Sequence, residues 1–436
     1  MNAQDLNAKP MTLAEKVIAR AAGVAHVVPG QIVTCQVDLA MMHDSGGPRR
    51  VDSKLRALRA PIWDVDKVVV VSDHYVPAVD ADSAHILQFT RGWVAEHGIK
   101  HFYDMRGICH VVLAEGGHLL PGMFAAGGDS HSPTGGAWGA FMVGIGATEM
   151  AGVLVTGELW VRVPQTLRVK LEGSLAPYCS VKDVLLHLCA RIGLNNDYRV
   201  IEYAGSAMAG LPMAERMTLC NMAAELGGKT GMIAPDARTI DALKLAGRHN
   251  LVLNPYWCTD ADARVERDVV VELDSLAPYV AAPDSPANCA PVTEFKRQRI
   301  DQAYIGACTG AKLEDLQMAA SVLRGQQVAS SVRLLIAPAS VATTQAAIAD
   351  GTLATLLSAG AILLPSGCGA CAGLGAGVLA SAEVCIASTA RNFKGRMGAM
   401  DSQVYLGSPY TVAASAIVGH IADPRDFLQM NLKESQ

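Results

Sequence analysis

The sequence predicts an α/β protein of three consecutive α/β blocks. Three observations carry that prediction. Its 436 residues suit about three domains at roughly 150 residues each. Apolar, β-branched runs alternate with helical stretches, the pattern of parallel sheets joined by crossover helices. Several of these runs end in loops bearing His, Cys or Arg, and in open α/β sheets ligands bind beyond the carboxyl ends of the strands. The blocks are expected at residues 1–164, 165–296 and 297–436.

In the first block Val65–Val71 is almost continuously β-branched, as in a strand buried on both faces, and it stops at Ser72-Asp73-His74. A helix is expected from about Ser83 to His97, closed by Gly98, and Ile99–Asp104 reads as another strand. The second block opens with Thr166–Gly173 as a strand. Ser180, with Asp183 three residues on, reads as a helix N-cap, and Gly193 as the end of that helix. Leu276–Pro291 carries four prolines and reads as a linker. Strands in the third block are expected at Ala303–Gly306, Val332–Ala337, Ala361–Leu364 and Glu383–Ala387.

Composition narrows the function. Half of the residues are apolar and 18% charged, which excludes a disordered or fibrous chain. A net charge of −5 argues against nucleic acid as a partner. Met1–Pro10 is polar, without a basic stretch leading into an apolar run, so no signal peptide is expected and the chain is placed in the cytoplasm. The uncharged run between Asp350 and Glu383 is long enough for a bilayer, but Pro365 and its glycines break it. A buried strand, a loop and a packed turn fit it better, and no membrane is expected as a partner. In a reducing compartment the 11 cysteines, an odd number, should be free thiols.

Three of those cysteines stand apart. Cys368 and Cys371 form a CxxC flanked by glycine, and Cys308 lies in a similar Gly-rich loop after a strand. Three thiolates suit an iron–sulfur cluster with one iron left open, which could act as a Lewis acid. A zinc or redox pair, or inert buried thiols, are the rival readings. The other eight read as small core residues. Asp73-His74, His110 and Asp129-Ser130-His131 follow strands or Gly-rich loops, where acid–base sites are built. Arg391 and Arg396 follow the last strand and could clamp carboxylates bidentately. The Gly227-Gly228-Lys229-Thr230 stretch lacks the first glycine of a P-loop, since position 223 is Ala223, and Ser132 spoils a G-x-S-x-G elbow. The glycines of Gly135–Ala147 are read as allowing close packing near His131.

As a set, VSDHYVP, RGICH, GGDSHSPTGGAWG, CNMAAELGG, IGACTGAKLEDL, GCGACAG and ARNFKGR resemble the aconitase family, in its 3-isopropylmalate dehydratase large-subunit type, over roughly Met11 to Asp426. The resemblance implies three α/β domains around a central iron–sulfur crevice, with the family's swivelling domain absent from this chain. It implies one 4Fe-4S cluster on Cys308, Cys368 and Cys371. It also implies catalytic roles for Asp73, His74, His110, Asp129, Ser130, His131 and Glu225, and substrate binding by His43, Asn221, Arg391 and Arg396. Asn221 and Glu225, four apart, are expected on one helix face. A separate small subunit would bring the swivelling domain and a serine base. The implied reaction is reversible dehydration of a hydroxy diacid, by family default 3-isopropylmalate, with 2,3-dimethylmalate, citramalate, maleate or homoaconitase chemistry as alternatives. An electron-transfer iron–sulfur protein would need the cysteines without the Asp–His set. Two departures are Ala390, where relatives carry Asn, and Gly310, where they carry Asn after Cys-Thr.

Overall fold

Val68–Ser72 is buried at every residue because neighbours flank it on both sides of a five-stranded parallel sheet. The spatial order of that sheet is His101–Asp104, Val68–Ser72, Leu39–His43, Phe124–Gly127, Phe141–Gly144. This computed structural model, which describes residues 9–427, has three main sheets, and the third of them takes in two strands from the end of the expected second block. The N-terminal stretch read as lacking an export signal lies, up to residue 8, outside the described residues. The second sheet is parallel, in the order Thr230–Ile233, Val200–Ala204, Thr166–Glu172, Arg267–Glu272. The third has seven strands. Five are parallel, in the order Gln403–Leu406, Val384–Ala387, Gln302–Ile305, Arg333–Ile336, Ile362–Leu363.

Several local expectations are corrected. Val65–Lys67 is a 3-10 turn capped by Asp64, so the strand starts at Val68. The strand expected from Ile99 begins at His101, and it is the half-buried edge of its sheet. The helix ending at His97 starts earlier, at Ala81, because Asp80 caps it. The supposed linker holds two short strands, Tyr279–Ala281 and Cys289–Pro291, which pair antiparallel and extend the third sheet. Proline is tolerated there because the strand Cys289–Pro291 is the sheet edge. The strand expected at Ala361–Leu364 shrinks to Ile362–Leu363, exposed rather than buried, because it forms the opposite edge. Among the described residues no helix is long and apolar enough to cross a membrane.

The Ser180 cap forms as read: its hydroxyl accepts the Lys182 N–H, Asp183 closes the capping box, and Gly193 ends the helix. Gly136 allows the first and second domains to meet. A Cβ there would lie 1.7 Å from the Gly231 carbonyl oxygen, so only glycine permits this approach. One buried apolar cluster runs through all three sheets, fixing them relative to one another.

Two reversals of strand order aim the chemistry. In the first sheet the order reverses between Leu39–His43 and Phe124–Gly127, and in the third between Gln302–Ile305 and Val384–Ala387. Crevices open at such switch points. The carboxyl ends there lead to His43, Asp129, Cys308 and Arg391.

Candidate active site

A cavity of about 320 Å³ lies between the first and third domains. All side chains expected at the site line it except Asp73, Asn221 and Glu225, which stand behind the residues they orient.

Asp73 is fully buried. It accepts hydrogen bonds from His74 Nδ1–H at 2.7 Å and from the Cys109 N–H at 2.7 Å. Burial is the largest single influence and works against both charges in this pair, but the opposing influences, led by each residue's partner, together outweigh it. Asp73 is held at about 2 by His74, and His74 is raised to about 9 by Asp73, with Asp129 and Asp44 adding to it. His74 is therefore an imidazolium at neutral pH. Its Nε2 stands 4.0 Å from Asp129 Oδ2 on the cavity side. His43 stacks on His74 with ring centroids 4.1 Å apart. Burial, and then the His74 charge, push His43 down to about 4, so it is neutral. Its Nδ1 accepts the Gly46 N–H, leaving Nε2–H to donate to the Gly128 carbonyl at 3.1 Å.

A second network starts at Asp129. It accepts from His110 Nε2–H at 2.9 Å and from the His131 N–H at 2.7 Å. His131 Nε2 reaches Glu225 Oε1 at 3.0 Å, and Arg391 Nε donates to the same oxygen at 2.8 Å. Arg391 also donates to Ser130 Oγ at 2.9 Å, so one guanidinium is aligned from two domains. Burial opposes the Glu225 charge, but His131 and Arg391 hold its carboxyl below the usual range. The helix expected to carry both Asn221 and Glu225 ends at Asn221. Glu225 sits in the turns that follow, which bend it toward Arg391.

The thiols come from two loops. Cys308 follows Gln302–Ile305, the middle one of the five parallel strands of the third sheet. Cys368 and Cys371 follow the edge strand, and the Cys368 N–H donates to the Asp73 carbonyl at 2.9 Å. Burial pushes Cys308 up to about 12. Burial also raises Cys371, with Arg396 as its strongest opposing influence. Among the described residues, two groups have ligand atoms within 4.8 Å of one another: His43/Asp44/Asp73/His74 and His110/Asp129/His131. The three thiols form no such tight group. Their spread suits a polynuclear iron–sulfur group better than one tetrahedral zinc. Asn221 Nδ2 donates to Cys308 Sγ at 3.1 Å, while its Oδ1 and the Nε of Arg396 are buried without partners. Polar capacity beside the sulfurs thus remains for a bound group. Of the other cysteines, Cys258 is exposed and Cys289 half-buried, and the remainder are buried as expected.

The family model for the aconitase family (aconitate hydratase) matches residues 15–299 and 291–419. The chain belongs to the aconitase family. The 3-isopropylmalate dehydratase large subunit 1 of Methanopyrus kandleri is 46% identical over 420 residues, spanning 96% of this chain and 99% of its own. The probable methanogen homoaconitase large subunit of Methanosarcina mazei is 44% identical, spanning 89% and 98%. Aconitase X of Thermococcus kodakaraensis, in a holo-form crystal structure, shares the fold at TM-score 0.52 and 13% identity, over 92% of this chain and 97% of its own.

Within this aconitase-family chain the departure at Gly310 has a structural reason. A Cβ there would meet Ser388 Oγ at 2.1 Å, and Ser388 Oγ instead accepts the Gly306 N–H at 3.1 Å. A serine hydroxyl thus occupies space that a larger residue at 310 would need. Ala390 is buried and lines the cavity, with no amide to offer there. Sequence reasoning missed Asp44, which is fully buried and accepts the N–H groups of His74 and Tyr75, both at 3.0 Å. Nothing in a lone Asp within a loop signals that role.

Proposed function

We propose that this chain is the large subunit of a cytoplasmic hydro-lyase that reversibly removes water from a hydroxy diacid, with 3-isopropylmalate as substrate. It works with a separate small subunit that carries the swivelling domain and a serine base. Cys308, Cys368 and Cys371 hold one 4Fe-4S cluster, which when bound supplies Lewis acidity to the substrate's hydroxyl and carboxylate.

The observation that carries this reading is the His74–Asp73 pair, a charged imidazole locked on a buried carboxylate and facing the cavity of the thiols and arginines. His74 gives its Nε2 proton to the departing hydroxyl, which leaves as water, and Asp73 stays ionised throughout. The small subunit's serine takes the carbon-bound proton. Arg391 and Arg396 hold substrate carboxylates. Glu225 and Ser130 fix Arg391 in place before substrate arrives. His110 and His131, oriented by Asp129, complete the polar wall of the cavity.

The test is a substrate screen of the anaerobically reconstituted pair, followed by ultraviolet absorbance of the unsaturated diacid. 3-Isopropylmalate should turn over fastest, and the chain alone should be inactive. Failure on 3-isopropylmalate, 2,3-dimethylmalate, citramalate, maleate and homocitrate alike refutes the hydro-lyase reading. Fastest turnover of homocitrate would instead favour the activity for which the Methanosarcina mazei relative is named.

A further inference from the structure

Lys182 lies in the helix Val181–Ile192 of the second domain, 1% exposed, and none of the steps above uses it. Its Nζ donates to the carbonyls of Ser388 at 3.1 Å and Thr389 at 2.5 Å, and approaches the hydroxyl of Thr309 at 3.4 Å. These acceptors belong to the two strand-end loops that carry Cys308 and Arg391. A buried ammonium held only by neutral oxygens is costly, because desolvation is not repaid by an opposite charge.

Every nearby carboxylate is engaged elsewhere. Asp183 accepts the N–H groups of Ser180 and Tyr279, and Glu215 accepts the N–H of Val181. Asp315 pairs with the neighbouring buried Lys312 at 2.7 Å. No carboxylate among the described residues forms an ion pair with Lys182; its Nζ instead stands 3.4 Å from the hydroxyl of Thr309, the residue next to Cys308, and Cys308 and Cys371 are the strongest influences favouring its charge.

We propose that Lys182 is the built-in counter-cation of the iron–sulfur centre, its buried charge offsetting the thiolates of Cys308 and Cys371 through the loops it ties together. This rests on the cluster assignment above. Burial pushes the ammonium down to about 8, and Cys308 and Cys371 are the leading influences in the opposite direction. Charge near a cluster sets its reduction potential. Lys182 thereby favours the reduced form and holds the anionic centre in place.

The test uses the full chain, reconstituted anaerobically with iron and sulfide, with Lys182→Gln to keep a donor without the charge and Lys182→Arg to keep the charge. Wild type that takes up no iron or sulfide refutes the cluster assignment itself, and that is seen before any variant is made. In the Gln variant the reduction equilibrium, followed by electron paramagnetic resonance during redox titration, should be disfavoured at least tenfold, about 59 mV for one electron. The Arg variant should stay near wild type. A loaded Gln variant with an unchanged potential overturns the proposal. If the Gln variant does not load, loading of the Arg variant supports the need for charge. Failure of both assigns Lys182 a packing role and overturns the proposal.

Discussion

Replacing Asp73 with Asn tests the acid directly. Asn is isosteric and can still accept one of the two hydrogen bonds, from His74 or from the Cys109 N–H, but it carries no charge. In the native site His74 stands at about 9 against an ordinary 6.5, a difference of 9 − 6.5 = 2.5. At about 1.4 kcal/mol per unit this amounts to about 3 kcal/mol of preference for the imidazolium. Burial is already the largest single influence on His74, and without the Asp73 charge it goes largely unopposed. Asp129 and Asp44 remain, but at 4.0 and 3.8 Å from ring nitrogens rather than at hydrogen-bonding distance. The His74 pKa should then fall below about 6.5, so at about pH 7.5 less than roughly a tenth of the sites carry the acidic proton. Turnover by the reconstituted pair should drop more than about tenfold at that pH and recover as pH falls toward about 6. Stability should move with it. A raised His pKa stabilises the fold fully below about 6.5, and that contribution is lost as pH rises through about 9. The lowered Asp73 pKa stabilises above about 3.8, and its contribution is lost as pH falls through about 2. The variant should therefore melt lower than wild type near neutrality, with the gap narrowing as pH rises from about 6.5 to about 9. Turnover within twofold of wild type at neutral pH, or a loss that acid does not rescue while iron content is intact, refutes the assignment of His74.

Other outcomes can be read from the same geometry. Cys371→Ser should leave a folded chain that, purified anaerobically, lacks the brown colour and iron of wild type; a brown variant would remove Cys371 from the ligand set. Glu225→Gln strips the shared carboxylate from His131 and Arg391, so KM should rise with iron content unchanged. A KM like that of wild type would show that Arg391 needs no alignment. Asp236→Ala breaks the two bonds, at 2.8 and 2.6 Å, to the fully buried Arg216 and removes a helix N-cap. It should lower the urea unfolding free energy by about 3 kcal/mol without affecting chemistry, and a loss under about 1 kcal/mol would contradict the buried-pair account.

Much of this site is legible in the sequence because its chemistry sits at strand ends. Val68–Ser72 announces itself by β-branching, and the next two residues, Asp73 and His74, form the hydrogen-bonded pair that presents an imidazole to the cavity. The CxxC loop and the Arg391 segment read the same way. Edges mislead, because an edge strand needs few apolar residues: Ile362–Leu363 reads as buried and is not, and the proline-bearing Cys289–Pro291 hides in a stretch that looks like a linker. Glu225 could be placed near Asn221 but its departure from that helix could not be read, since the helix closes at Met222 with no glycine or proline to mark its end. Asp44 and Lys182 leave no signal at all. One is an Asp in a loop and the other a Lys in an amphipathic helix, and only the third dimension shows what surrounds them.

The hydrogen bond from the Cys368 N–H to the Asp73 carbonyl joins the loop of the proposed cluster ligands to the backbone of the residue that charges His74, the proposed acid. On the proposed ligand set and acid, metal loading and proton donation are then not independent of one another. A chain that loses its cysteine loop to oxidation or disorder also releases the peptide that aims His74. Damage to the inorganic centre should therefore register at the imidazole, and restoring iron should reset both together.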